Sequence, residues 1–314
     1  MKVGVIGAGH WGANLVRNFA ELGVLAGVAD PLEENRARAV SDAPGIETFE
    51  NAEELLASGY DAVAIATPAA THFEIGRQAL EAGVDVFVEK PMTLDPVEAR
   101  ELHEQALKAE RILMVGHLLL YQPAIGFITD YLKAGKLGQV YTMHQRRSKL
   151  GRARDRENVM WSFGVHDVAV LLVLAGEMPT EVLACGHAAL TPGVEDDTYL
   201  HLGFASGIRA HLHNSWLWPR IERELLVVGE RGMLVFDEPG SRVVLYHKTV
   251  DGELVHRDDG EEILFEGSGQ PLRLELEHFL ECCRERKTPV SDGRNGYEVV
   301  EVINEAEKLL AMNR

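Results

Sequence analysis

The apolar positions of this chain follow one grammar up to about residue 115 and another after residue 120. In the first stretch, short continuous apolar runs alternate with segments of helical spacing. Lys2 to Gly7 reads as a strand and Trp11 to Leu22 as the helix after it. Val24 to Asp30 is again strand-like, and Leu32 to Val40 is a helix rich in Glu and Arg. Asp61 to Ala66 is an unbroken apolar strand, His72 to Ala82 a helix, and Val84 to Glu89 a strand counted as the fifth of the set. Asp95-Pro96-Val97-Glu98 combines an N-cap Asp, a Pro at the first helical position and a Glu three residues after the cap. That helix runs to about Ala109 and delivers the strand Ile112 to Val115. Strands buried on both faces and joined by crossover helices predict an α/β, Rossmann-type doubly wound parallel sheet, assigned to residues 1–119.

After residue 120, helices centred on Ile125 to Leu132 and Val165 to Leu174 precede strand-like segments from about Thr180 to Leu264. In Thr198 to Asn214 the apolar residues alternate as Leu200, Leu202, Phe204 and then Ile208, Ala210, Leu212. They share a face only if Phe204 pairs with Ile208. Ala205-Ser206-Gly207 is then a three-residue hairpin loop with Gly207 left-handed. Two helices, about Pro271 to Arg286 and Gly296 to Met312, follow. Residues 120–314 are thus expected to form an α+β domain on a large, mostly antiparallel open sheet that binds substrate and carries oligomer contacts.

Composition narrows the classes. The chain has 314 residues, 46% of them apolar and 25% charged, with a net charge of −18. That balance repels nucleic-acid phosphates and anionic lipid. The longest apolar stretches, such as Val168 to Ala175, fall well short of the ~18 residues of a membrane span. The glycine-broken run Val3 to Ala8 does not read as a secretory signal. Cys185, Cys282 and Cys283 show no metal spacing and fit a reduced cytoplasm. A soluble, acidic, cytoplasmic protein is expected, with no nucleic-acid or membrane partner.

Gly7-Ala8-Gly9-His10-Trp11-Gly12 is a G-x-G-x-x-G placed after a strand and opening a helix. The first glycine permits the turn, the second lets the backbone approach a pyrophosphate, and the third allows close helix–strand packing. The helix N-terminus adds free N–H groups and a favourable dipole. Asp30 ends the second strand about 20 residues on, where a carboxylate accepts from a ribose diol and repels a 2′-phosphate. NAD is favoured over NADP, although Arg36 and Arg38 stand close by in sequence. Glu89-Lys90-Pro91 follows the fifth strand, and ligands bind at the C-terminal ends of such strands.

These motifs together resemble the glucose–fructose oxidoreductase / inositol dehydrogenase (Gfo/Idh/MocA) family. The matching text is Gly7 to Gly12, Ala66-Thr67-Pro68 with His72 downstream, Glu89-Lys90-Pro91, Gly116-His117 with Pro123-Ala124, and Gly164-Val165-His166-Asp167. The resemblance implies NAD(P)-dependent hydride transfer at a CH–OH carbon of a sugar-like substrate. It implies cofactor contacts at Gly7, Gly9, His10, Trp11, Gly12, Asp30, Thr67, Pro68, His72, Glu89 and Lys90. Lys90 and His166 are the expected catalytic pair. An imidazole can take the hydroxyl proton near neutrality, and an ammonium can stabilise the charge developing on the oxygen. His166 could instead be a residue capping the helix from Val168 to Leu174. Many family members carry Asp four residues before this His, and here that residue is Ser162. Either the proton relay is simpler or Asp167 orients the ring.

Glu157-Asn158-Val159-Met160-Trp161 and Asn214-Ser215-Trp216-Leu217 resemble the branch of the family acting on nucleotide-linked sugars, such as UDP-N-acetylglucosamine or its uronic acid at the 3-hydroxyl. Expected substrate contacts are Lys90, His117, Arg152, Arg154, Trp161 and Asp167. Arg146, Arg147, Lys149, Arg152, Arg154 and Arg156 place six cations and one anion in eleven residues. That basic loop suits a diphosphate, since Arg pairs with phosphate oxygens bidentately. A solvated loop or a subunit contact would have the same composition. The hairpin register sets His201 opposite His211 and Tyr199 opposite His213. Without a third ligand, a polar sheet face or oligomer contact is preferred to a metal site. A homodimer or homotetramer through the C-terminal sheet is expected. A free-sugar or inositol dehydrogenase, or a non-catalytic dinucleotide sensor, remain as alternatives.

Overall fold

The computed structural model describes residues 1–151 and 154–312. Its first part alternates β1 (Val3–Ile6), α1 (Gly12–Glu21), β2 (Leu25–Ala29), α2 (Glu33–Asp42), β3 (Glu47–Phe49), α3 (Ala52–Leu56), β4 (Ala62–Ile65), α4 (His72–Glu81), β5 (Asp85–Val88), α5 (Pro96–Lys108) and β6 (Leu113–Val115). All six strands pair in parallel, in the order β3-β2-β1-β4-β5-β6. This is the Rossmann order, whose direction reverses between β1 and β4. Residues 62–65 and 86–88 are wholly buried, as expected for central strands covered on both faces. The sequence pattern assigned no element to β3 and α3. β3 is a three-residue edge strand with two exposed positions, so no apolar run marks it. The short α3 is held by Asn51, whose side chain accepts from the Glu54 N–H at 2.9 Å.

The second part comprises α6 (Pro123–Lys133), β7 (Val140–Leu150), α7 (Val165–Ala175), β8 (Pro179–His187), β9 (Asp197–Phe204), β10 (Arg209–Ser215), β11 (Leu217–Gly229), β12 (Gly232–Asp237), β13 (Arg242–Val250) and β14 (His256–Glu266). α8 (Pro271–Glu285) and α9 (Gly293–Met312) follow. The eight strands lie in the order β14-β13-β12-β11-β7-β10-β9-β8, antiparallel except for the β7/β10 pair. The β9–β10 hairpin has the expected register. The Phe204 N–H donates to Ile208 O at 3.0 Å, His201 faces His211, Tyr199 faces His213, and Gly207 has φ +92°.

The chain divides at Leu118/Leu119, beside the expected boundary at 119/120. The first unit also takes in Pro271–Val300, which the sequence reading had placed in the second. The reason is packing: Phe279 of α8 sits edge-on to Phe87 of β5, with ring centroids 5.7 Å apart and both rings wholly buried. Burying one such ring contributes roughly 1.5–3 kcal/mol. The second unit is Leu119–Gln270 with the chain from Glu301 onward.

β7 corrects a second expectation. Residues 146–150 were read as part of a basic loop but form a strand at the centre of the sheet. The strand was hidden because, beyond Met143, its buried positions hold Gln145 and Arg147 rather than apolar residues.

Candidate functional site

In the first unit the expected residues collect at the C-terminal ends of the parallel strands. Gly7 follows β1 with φ +91°, and a Cβ there would lie 2.8 Å from the Ala66 backbone. A Cβ on Gly12 would strike Gly7 O at 1.9 Å, so the start of α1 packs on the turn only as glycine. Around Gly9 the space is open to 4 Å, which leaves room for a ligand to reach the backbone. No side chain caps α1 at Trp11. An uncapped helix start beside an open glycine is a fitting cradle for a pyrophosphate.

Asp30 is buried at the end of β2. Its Oδ2 accepts from the Ala8 N–H at 2.8 Å, and its Oδ1 accepts from Leu32 N–H at 2.9 Å and Asn35 Nδ2 at 3.0 Å. The carboxylate therefore braces the glycine turn as well as marking where a ribose would sit. Arg36 donates to the Asp30 and Pro31 carbonyls, and Arg38 to the Ala8 and Gly9 carbonyls. Both guanidinium groups thus serve this corner.

Thr67 and Pro68 follow β4, and His72 opens α4 from a buried position. The ring nitrogens of His72 lie 2.8 Å from Pro91 O and 2.9 Å from Thr67 O, tying the turns after β4 and β5 together. Burial lowers the proton affinity of this ring and the two carbonyls oppose it, for a net lowering.

Glu89 is buried behind the glycine loop, where its carboxylate accepts from Trp11 Nε1 and from the Lys90 N–H at 3.3 Å. Burial pushes Glu89 up to about 7 against the pull of Trp11 and Lys90. Lys90 is half-buried, and its peptide bond to Pro91 is cis. His117, after β6, is pushed down to about 3 by burial and then by the Lys90 charge. His10 is exposed on the loop.

In the second unit, His166 is the second residue of α7, reached through a π-type turn at Met160–Gly164. The N-cap of α7 is Gly164, so no N-cap side chain closes the start of the helix. Asp167 is wholly buried. Its oxygens accept from Arg147 Nε at 2.9 Å, Gln145 Nε2 at 3.1 Å and Asn214 Nδ2 at 2.8 Å. It anchors the turn that carries His166 to β7 and β10, which is a supporting position rather than one open to a ligand. Arg147 continues the network to Glu238 at 2.9 Å, and Arg223 joins the same carboxylate at 2.9 Å. Ser162 is buried one turn before His166.

Within the expected basic loop, Arg146, Arg147, Lys149 and Arg154 each have separate partners. Arg146 and Arg147 leave opposite faces of β7, Arg146 to pair with Glu222 at 2.8 Å and Arg147 into the buried network. Arg154 pairs with Glu157. Lys149 lies over the Phe163 ring at 5.6 Å. Arg152 lies outside the described residues. The neutralising carboxylates were invisible in an eleven-residue window because Asp167, Glu222 and Glu238 stand 20, 76 and 91 residues from their arginines. Trp161, expected at the substrate, is buried and donates its indole N–H to Glu307 at 3.0 Å.

Sequence reasoning also missed Glu275 of α8. It is a fully buried carboxyl whose proton affinity is raised first by burial and then by the Glu89 charge. The signal was present: Glu275 interrupts the apolar stripe of Leu272, Leu276 and Phe279. On the outer face of the large sheet, His144, His211 and His201 adjoin across β7, β10 and β9, with His201 Nδ1 and His211 Nδ1 2.7 Å apart. Among the described residues, no group of three or more His, Cys, Asp or Glu is arranged to hold a metal ion.

Comparison with known proteins covers most of the chain. Residues 1–117 match the oxidoreductase family model for an NAD-binding Rossmann fold, and residues 128–235 match the GFO/IDH/MocA C-terminal domain. A UDP-N-acetylglucosamine 3-dehydrogenase of Acidithiobacillus ferrooxidans is 30% identical over 306 residues, covering 96% of this chain and 94% of that protein. The solved structure of a UDP-N-acetylglucosamine 3-dehydrogenase from the same organism superimposes with a TM-score of 0.88 at 28% identity, covering 99% and 98% of the two chains. The scyllo-inositol 2-dehydrogenase (NAD(+)) of Bacillus subtilis is 27% identical over 308 residues, 92% of this chain and 88% of that protein.

Proposed function

The chain belongs to the Gfo/Idh/MocA family of oxidoreductases, and on that footing we propose that it oxidises a nucleotide-linked sugar at a secondary hydroxyl, in the manner of a UDP-N-acetylglucosamine or UDP-N-acetylglucosaminuronate 3-dehydrogenase. As a family member it is an NAD-binding dehydrogenase acting on CH–OH donors. The observation that carries the finer reading is the near full-length similarity to the UDP-N-acetylglucosamine 3-dehydrogenase.

Gly7, Gly9, Gly12 and the uncapped start of α1, with His10 and Trp11, would hold the cofactor pyrophosphate. Asp30 would take the ribose diol, and the turns carrying Thr67, Pro68 and His72 would line the same sheet edge. NAD is the proposed cofactor because the acid at Asp30 disfavours a 2′-phosphate. When bound, the nicotinamide supplies the hydride acceptor. The remaining work falls to the protein. His166 takes the hydroxyl proton, and Lys90 donates a hydrogen bond to the oxygen as its charge develops. Glu89 and His72 fix the turn that carries Lys90, and Asp167 fixes the turn that carries His166. A diphosphate contact is narrowed to the segment from Lys149 to Arg156, with Arg152 and Arg154 retained as candidates. Self-association through the outer face of the large sheet is part of the same proposal, checked by sedimentation.

The test is formation of reduced cofactor with UDP-N-acetylglucosamine, its uronic acid, inositols and free hexoses at fixed NAD. Turnover of the UDP-sugars alone supports the reading. Turnover of inositol alone moves the chain to the second reading, which its similarity to the scyllo-inositol enzyme favours. Tight dinucleotide binding with no turnover of any alcohol would leave a sensor.

A further inference from the structure

We propose that Asn214 is a positioning residue for His166: its one amide grips residues before and after the histidine and so fixes the direction in which the imidazole leaves α7. The inference rests on the reading of His166 as the base. Asn214 is 1% exposed, on β10, where it pairs with Arg147 of β7 and Thr198 of β9. Its Nδ2 donates to Asp167 Oδ2 at 2.8 Å. Only the amide nitrogen can face that carboxylate, which turns the amide oxygen to the other side. There Oδ1, which has no hydrogen-bond partner among the described residues, stands against Gly164, where an added Cβ would lie 2.9 Å from it. Gly164 is helical, with φ −60° and ψ −33°, so its backbone does not ask for glycine. The Asn214 amide does. The other atoms that a Cβ would meet, Met160 Cβ at 3.4 Å and Ile303 Cδ1 at 3.7 Å, stand at ordinary contact distance.

The turn has reason to be gripped. Met160–Gly164 is a π-type turn, which holds one residue more than an α-turn. Relaxing it to α geometry would rotate the residues beyond it by about 100°. Asn158 holds its start, where Oδ1 accepts from the Met160 N–H at 3.1 Å and the Trp161 N–H at 3.4 Å. Asn214 holds its end. From Gly164 to Leu172 every residue is buried except His166, so the gripped face turns inward and the histidine is left partly open. A general base works only within hydrogen-bond reach of the proton it takes, so the rotation of this helix start bears directly on the rate.

The experiment compares wild type, Asn214→Ala, Gly164→Ala and the double variant in kcat and KM with NAD and UDP-N-acetylglucosamine. It also follows the His166 imidazole signals by NMR with isotope-labelled histidine, assigned by their loss in His166→Asn. Gly164→Ala drives a methyl into the Asn214 oxygen and should lower kcat by about 10²-fold, the size of a misplacement of about 1 Å. KM should change by less than about threefold. Asn214→Ala loosens the mounting without displacing it and should cost about tenfold in kcat. In the double variant the new methyl meets no amide, so the loss should return to about tenfold. Two independent structural defects would instead multiply to about 10³-fold. That product, or an unchanged kcat in both single variants, overturns the proposal. The His166 signals should shift in both single variants while those of His201 and His211 stay in place; unmoved His166 signals overturn it as well. Should Asn214→Ala fail to fold, Gly164→Ala alone carries both readouts. Full activity in His166→Asn, or no turnover of UDP-N-acetylglucosamine by wild type, would tell against the base and substrate readings instead, and the imidazole signals would then decide the role of Asn214 alone.

Discussion

Two cationic regions of this protein look alike in the sequence and are built in opposite ways. Lys90 stands at the end of a parallel strand between Glu89 and Pro91, with His72 bound to the Pro91 carbonyl from the turn after β4. The cations from Arg146 to Arg156 lie on and after β7, a central strand parallel to β10 and antiparallel to β11. Arg146 and Arg147 meet carboxylates brought from β11, α7 and the end of β12. In the first unit a polar residue after a strand is delivered to the ligand edge. In the second, alternation along β7 sends neighbouring charges to opposite faces, and burial then demands a partner for each. Density of charge does not separate the two regions; position relative to the strand ends does.

The sharpest way to test that contrast is Lys90→Met. It should lower kcat by about 10³-fold, the size expected when a charge-stabilising donor is removed, with NADH affinity changed by less than threefold. His166→Asn should cost about 10²-fold or more in kcat and flatten the limb of the pH–rate profile that reports the base. Unchanged turnover in both would remove the mechanism.

Arg147→Met should act on folding instead. It leaves Asp167 and Glu238 buried without their cation, and breaking such a pair costs about 3–5 kcal/mol. Hydrogen exchange followed peptide by peptide should show the loss in β7, β10 and α7, with β1 to β6 still protected. The same measurement against pH separates the units further. Burial would raise Glu238, but the charges and hydrogen bonds of Arg147 and Arg223 outweigh it and hold it low. Its contribution is therefore full above the unfolded value and lost as the pH falls through the depressed one. Glu89, raised from 4.5 to about 7, behaves in reverse: its contribution is present below 4.5 and lost as the pH rises through 7. Acid should therefore loosen the Glu238 contacts and spare the turn at Glu89.

The same contrast explains what could be read in advance. Five of the six parallel strands, the glycine turn, Asp30, the turn at Lys90 and the β9–β10 hairpin all rest on spacings of two to about twenty residues. Each of those spacings has a local steric meaning. β7 is unreadable because, beyond Met143, its buried positions include Gln145 and Arg147, whose suitability depends on Asp167 and Glu238. The attachment of α8 to the first unit depends on Phe279 meeting Phe87, a contact nearly two hundred residues long in sequence. The bond from Trp161 to Glu307 spans 146 residues, which no local pattern announces.

A smaller effect is expected at Asp30. Asp30→Ala should raise the ratio of NADP to NAD usage by about 10–100-fold by removing the charge that opposes a 2′-phosphate. Because Asp30 also accepts from the Ala8 N–H, NAD affinity itself should fall, and Asp30→Asn should restore part of that loss without restoring the preference. A ratio unmoved by either variant would mean that Arg36 and Arg38, not the acid, set the choice.

The smallest effect belongs to Arg146, and it tests the contrast from the other side. Arg146 and Arg147 are adjacent in sequence and equal in charge, and composition alone ranks them together. Arg146 is half exposed on the outer face and pairs with Glu222 at the sheet surface, where such pairs contribute about 0–1 kcal/mol and are screened by salt. Arg146→Gln should therefore move the unfolding free energy by less than about 1 kcal/mol and leave kcat unchanged. Its effect should shrink further in high salt, while the effect of Arg147→Met should persist because its partners are buried. If the two variants proved equally damaging, the alternation of faces along β7 would not be what separates a structural charge from a surface one. If Arg146→Gln raised the KM for a UDP-sugar with steep salt dependence, the outer-face arginine would be a phosphate contact after all, and the diphosphate site would have to move to that face.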